Sequence, residues 1–181
     1  LSGTQYIFQG EEIGMTNAHF ETVDKYRDVE TFNKIDELKA NGLSEKELMK
    51  QIKLISRDNA RVPMQWNNSK NAGFSSSTPW IDVNDNYNEV NVEKDLASSK
   101  SIYNFYKELI TFKKNNKTLI NSKLDEIKFE NGIFYYKKEN LQVICNMTEE
   151  VKNYNFSGEL LITNSKFKEN ALNPLQIVVL K

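Results

Sequence analysis

The 181-residue chain is 39% hydrophobic and 27% charged with a formal net charge of −1, which describes an ordinary globular chain with room for one core or two small ones. A balance this close to neutral leaves no electrostatic footprint for nucleic acid, and no apolar run approaches the length of a bilayer-spanning helix, so small-molecule chemistry or protein contact remain. The single cysteine, Cys145, cannot form an internal disulfide and has no metal-ligand spacing around it, so a reducing, cytoplasmic setting and no metal or cofactor are expected.

The chain opens at Leu1 without an initiator methionine and without a charged segment ahead of an apolar one. It reads as the C-terminal part of a longer protein and not as a signal peptide. Thr4 to Phe8 is a run of β-formers, followed by Gln9-Gly10-Glu11-Glu12-Ile13-Gly14-Met15, where two glycines permit a tight exit at the strand's carboxyl end. Glu11 and Glu12 invite a reading as paired acids with split pKa values, but consecutive strand residues point to opposite faces, so at most one reaches a pocket. Val29, Phe32, Ile35 and Leu38 recur at helical spacing up to Gly42, a C-terminal cap. Ser44 with Glu47 forms a capping box for the next helix, Leu43 and Leu48 its hydrophobic staple, and Leu48, Ile52 and Ile55 its apolar face. That helix delivers Arg57 and Asp58 at or just beyond its end, and Pro63 stops continuation.

Residues 67–92 are rich in Asn, Ser, Asp and Pro, with Trp66, Phe74, Trp80 and Tyr87 interleaved. This predicts a long ordered loop, in which Trp66 and Trp80 either stack on a sugar or, the commoner use of such aromatics, anchor the loop to the core. Helical spacing returns between Ser98 and Asn115, where Ile102, Phe105, Tyr106, Leu109 and Ile110 share a face. After Asn116 the period becomes strand-like, which sets a domain boundary between residues 1–116 and 117–181. Asn131-Gly132 between apolar alternations is a hairpin signal. Runs at Leu141 to Met147, Val151 to Phe156, Leu160 to Asn164 and Gln176 to Leu180 have strand length, predicting an antiparallel meander that closes on itself or on the preceding helix. Cys145 alternates with Leu141 and Val143 on a core face.

The stretch Ser56-Arg57-Asp58-Asn59-Ala60-Arg61-Val62-Pro63-Met64-Gln65-Trp66 combines guanidinium and carboxylate forks with an indole, a composition that suits a sugar. It resembles the arginine motif of α-glucosidases in the α-amylase superfamily, the branch holding oligo-1,6-glucosidases and trehalose-6-phosphate hydrolases. Gly3 to Met15 resembles the eighth barrel strand of that family, and Tyr26-Arg27-Asp28-Val29-Glu30 the loop that follows. Asn71-Ala72-Gly73-Phe74, Pro79-Trp80 and Asn91-Val92 match as well, so the ordered motifs run across residues 3 to 112. Val62 departs from the threonine of many relatives, and the region after residue 116 resembles the family only in position and strand pattern.

The resemblance implies an α+β fragment: the last strand and outer helices of a (β/α)8 barrel, then a C-terminal antiparallel β-sandwich. It implies a retaining α-glucosidase whose nucleophile, acid/base and late His-Asp pair lie upstream, so no catalytic residue is expected here and the remainder of the barrel is a partner in cis. The only histidine, His19, is followed by Phe20 and is read as a loop residue without partners. By the same resemblance Arg57 contacts the sugar at the cleavage subsite and Glu30 the leaving-group sugar of an oligosaccharide substrate. Asp58, Arg61, Gln9 and Glu12 support the pocket. The structural alternatives are an Arg57–Asp58 ion pair holding the loop, an exposed first-turn glutamate at Glu30, and a purely structural Arg61. Lys25 and Arg27 are the basic groups placed for a phosphate. The competing reading of the whole chain is a stand-alone carbohydrate-binding or structural module without catalysis.

Overall fold

The computed structural model describes residues 2–181, which form two compact units: residues 6–104, and residues 105–181 together with residues 2–5. The elements are α+β as expected, with helices concentrated before residue 122 and antiparallel strands after it.

In the first unit α1 (Val29–Ala40) and α2 (Glu45–Ile55) form a helical hairpin. Gly42 ends the first helix at φ 79°, the left-handed value that favours glycine, and Leu43 N–H donates to Leu38 O at 3.2 Å to close the turn. Ser44 then opens α2 with a complete capping box: its hydroxyl accepts from the Glu47 amide while the Glu47 carboxylate accepts from the Ser44 amide. Ile35, Leu38, Leu48 and Ile52 are buried between the helices and pack with Phe20 and Tyr26. The predicted faces are only partly buried, since Val29, Phe32 and Ile55 are exposed among the described residues.

Thr4 to Phe8 is not a strand: among the described residues it has no ladder partner, and Tyr6 is 88% exposed. A strand needs a neighbour to satisfy its backbone, and none is supplied. Glu11–Ile13 form a 3₁₀ turn between Gly10 and Gly14, at φ 88° and 67°, so it is turn geometry and not strand alternation that separates the two glutamates. Glu11 is exposed and Glu12 half-buried.

The loop over residues 67–92 is ordered, but of the four aromatics at or within it only Tyr87 is half-buried. Trp80 is 69% exposed and Trp66 and Phe74 are each 49% exposed. Buried amides hold it instead. The Asn84 side chain donates to Thr16 O, Thr16 Oγ1 and Asn17 O and accepts from His19 N–H. Gln65 donates to Asn86 Oδ1 and Val90 O, and Asn91 caps the short helix α3 (Val92–Ala97), which begins where the expected loop ends.

In the second unit the strands are β1 (Glu126–Glu130), β2 (Ile133–Lys138), β3 (Leu141–Asn146), β4 (Lys152–Asn153), β5 (Leu160–Thr163), β6 (Ala171–Leu172) and β7 (Ile177–Leu180). A five-stranded antiparallel sheet has the order β1-β2-β3-β7-β5, and β4 pairs with β6 in a small second sheet. One face of the large sheet (Tyr136, Val143, Ile162, Val179) packs on Phe105, Leu109 and Phe112 of α4 (Ile102–Asn115), with Cys145 in the same layer. The other face (Ile144, Val178, Leu180) packs on Leu172 of β6 and on Tyr154, Phe156 and Phe167. Only β1, β2 and β3 run as the expected meander, since β7 and not β5 pairs with β3, and the sheet is covered by the preceding helix on one face and by a second layer on the other. Val151 to Phe156 pairs over only two residues, and the helix α5 (Lys117–Asn121), capped by Asn116, occupies the expected start of the strand-like region.

The hairpin β1–β2 turns through Asn131 and Gly132, at φ 51° and 78°, with Glu130 opposite Ile133. A Cβ on Gly132 would lie 2.3 Å from Thr148 Cγ2. Gly132→Ala is therefore expected to destabilise the chain by about 1–3 kcal/mol in urea unfolding, and a negligible loss would show that the turn relaxes without strain. The amides of Tyr6 and Ile7 are expected to exchange without protection in this chain, and slow exchange there would reveal strand pairing.

Candidate functional site

The end of α2 sets the site. Ser56, in extended conformation after Ile55, accepts from Asp58 N–H at 3.2 Å and shares a hydrogen bond with Thr31 Oγ1 of α1 at 2.8 Å. The chain then makes a 3₁₀ turn over Arg57–Ala60, which directs Asp58 inward and Arg57 outward. Asp58 is fully buried, and its Oδ2 accepts the backbone N–H groups of Arg27 at 2.7 Å and Asp28 at 2.9 Å. Asp28 is thereby placed beside the arginines. Arg57 grips it with Nε at 3.1 Å and Nη2 at 2.7 Å, a bidentate fork, and Arg61 Nη1 bridges Asp28 Oδ1 at 3.1 Å and Asp58 Oδ1 at 3.4 Å.

The structural alternative for Arg57 changes its partner. The ion pair holding Arg57 is with Asp28 and not with Asp58, because the burial of Asp58 turns it toward the backbone of residues 27 and 28. Arg61 joins the two carboxylates. Glu30 is exposed in the first turn of α1. Gln9 donates to Val62 O at 3.4 Å and lines, with Ser56 and Asn59, a cleft of about 460 Å³ that includes neither Arg57 nor Glu30. Glu12 Oε2 is buried without a hydrogen-bond partner among the described residues.

The other candidates resolve individually. His19 is not partnerless, since its Nδ1 lies 2.9 Å from Asp85 Oδ1 in an exposed pair. Lys25 is paired with Asp82 at 2.7 Å, which raises its pKa, and Arg27 Nη1 is spent on the carbonyls of Asp24 and Tyr26. Among the described residues no cluster of three or more metal-ligating side chains occurs. Asp28, inside the Tyr26–Glu30 motif, is the site residue that local spacing does not single out. Its position one residue before α1 is that of a helix cap, and only tertiary contact shows what its side chain holds.

The α-amylase family profile, "Alpha amylase, catalytic domain", matches residues 1–122. The chain is 45% identical over 156 residues to an oligo-1,6-glucosidase of Bacillus cereus, an alignment covering 83% of this chain and 28% of that protein. It is 40% identical over 176 residues to a glucan 1,6-alpha-glucosidase of Streptococcus pneumoniae serotype 4, covering 93% of this chain and 33% of that protein. The crystal structure of Bacillus licheniformis trehalose-6-phosphate hydrolase is similar with a TM-score of 0.90 and 35% identity, over 98% of this chain and 36% of that one. The chain belongs to the α-amylase family. It spans about a third of the length of the curated relatives it matches.

The two guanidinium groups beside Asp28 hold its carboxyl down at about 2 from an ordinary 3.8, with the Arg57 hydrogen bond the largest cause. A depressed carboxyl stabilises the fold above its unfolded pKa and loses that contribution as pH falls through its folded one. The stability difference between wild type and Asp28→Asn is expected to be constant above pH 4 and to shrink between about pH 4 and 2. Parallel acid-unfolding curves through that window would contradict this.

Proposed function

We propose that this chain is the C-terminal portion of a retaining α-glucosidase that hydrolyses α-glucosidic bonds of short oligosaccharides, of the oligo-1,6-glucosidase or trehalose-6-phosphate hydrolase kind. Residues 1–116 end the catalytic (β/α)8 barrel and residues 117–181 form the antiparallel β domain. The nucleophile and the acid/base lie in the preceding part of the barrel, joined in cis, and the enzyme works in the cytoplasm on an oligosaccharide without a cofactor.

The observation that carries this reading is the state of Arg57. Its side chain is 56% exposed although Asp28 grips it at two points. A permanently charged donor held still and facing outward is suited to binding a sugar hydroxyl and to steadying a carboxylate that changes charge during glucosyl transfer. Glu30, exposed nearby in sequence, accepts hydroxyl hydrogen bonds from the leaving-group sugar, and Asp58, Arg61, Gln9 and Glu12 hold the surrounding wall. In the retaining mechanism a carboxylate displaces the leaving sugar to form a glucosyl-enzyme, and water releases it with the stereochemistry preserved.

The full-length protein is expected to cleave isomaltose or trehalose 6-phosphate with retention, and Arg57→Ala to lower kcat/KM by a factor on the order of a hundred or more. An unchanged rate would reduce Arg57 to a structural role. The 181-residue chain alone is expected to be inactive, and saturable binding of isomaltose or maltose to it would favour a stand-alone carbohydrate-binding module.

A further inference from the structure

Asp28 occupies the N-cap position of α1, where an aspartate ordinarily accepts a hydrogen bond from the first turn of its own helix. Its side chain makes no such bond. Neither oxygen accepts a backbone N–H of the helix: Oδ1 accepts from Arg57 Nη2 and Arg61 Nη1, and Oδ2 from Arg57 Nε and, within the first turn, only from the Thr31 hydroxyl at 3.4 Å. The side chain is 3% exposed. With four donors already on its two oxygens and almost no open surface, Asp28 has nothing left to offer a substrate.

Arg57 shows the complementary pattern. Of the five N–H groups of a guanidinium, Asp28 takes two, on the Nε–Nη2 edge. The remaining three are on Nη1 and the second Nη2 hydrogen, and the side chain is more than half open. A planar fork clamped along one edge cannot rotate about its last torsions, so the direction of its free edge is set by the carboxylate. The carboxylate is in turn set by the Asp58 bonds to the backbone N–H groups of residues 27 and 28.

We propose that Asp28 is the positioning residue for Arg57: it gives up the helix cap to fix the free edge of the guanidinium, and it acts on a bound sugar only through that edge. This rests on the reading of Arg57 as a sugar contact, and its test separates the two. In the full-length protein, Asp28→Ala is expected to cost about as much kcat/KM as Arg57→Ala, on the order of a hundredfold, and the double variant to be no worse than the poorer single one within about threefold. Asp28→Glu, which keeps the charge, is expected to recover part of the loss. Independently of activity, the Arg57 Nε–H resonance of this 181-residue chain is expected to be slow in exchange and to become fast in Asp28→Asn. The helix signal should be kept in that variant, because asparagine is itself a good N-cap. Losses that multiply in the double variant, or an Arg57 Nε–H that is equally protected in Asp28→Asn, would overturn the assignment. If Arg57→Ala leaves activity intact, the sugar-contact reading fails and any effect of Asp28 on turnover through Arg57 falls with it, while the resonance still decides whether Asp28 holds the guanidinium.

Discussion

Asp58 is a carboxylate with no surface open to water, and a charge so placed is stable only where protein donors replace the lost solvent. The donors are two successive backbone N–H groups from residues 27 and 28 together with Arg61. Meeting that requirement draws the start of α1 against the turn that follows α2. It also brings Asp28 to two arginines, so the site's charged arrangement is a consequence of satisfying one buried charge. The Thr31–Ser56 hydroxyl pair repeats the link between the same two segments.

The loop before α3 is organised by the same logic with neutral groups. Asn84 and Gln65 are fully buried, and their amides spend their donors on carbonyls and polar side chains of neighbouring loops. Their burial is tolerated because these donors are met inside, although Gln65 Oε1 has no hydrogen-bond partner among the described residues, and Trp80 stays exposed. Asn71 and Ala72, both at φ 56°, add a left-handed turn held by the Asn71 side chain on the carbonyls of Ser75 and Ser77. In the β unit the large sheet is covered on both faces, by α4 and by the small sheet with its aromatic neighbours, which accounts for the near-continuous burial of Val143, Ile144, Val178 and Val179.

Local rules were legible wherever the chemistry was local. The Ser44–Glu47 capping box, the Gly42 stop and the Asn131-Gly132 hairpin each rest on residues within a few positions of one another, and each is found where the spacing placed it. The motif around Arg57 was equally visible, as was the family it resembles. The misses have a shared cause. Thr4 to Phe8 has strand composition, but a strand exists only with a partner. Trp66 and Trp80 have core composition, but the loop's amides claimed the interior. The short helices α3 and α5 and the two-residue strands β4 and β6 are too brief for a periodic signal.

The sequence by itself determined that the chain carries the α-amylase motifs in order, that helices precede an antiparallel β region, and that Arg57 and Asp58 follow directly on α2. Only the tertiary structure decided who holds Arg57. By sequence its neighbour is Asp58, and Asp28 carries no signal of its own. In space Asp28 lies 2.7 Å from Nη2, because a partner 29 residues away is chosen by how two segments pack and how a buried carboxylate is satisfied, and neither is written in local spacing.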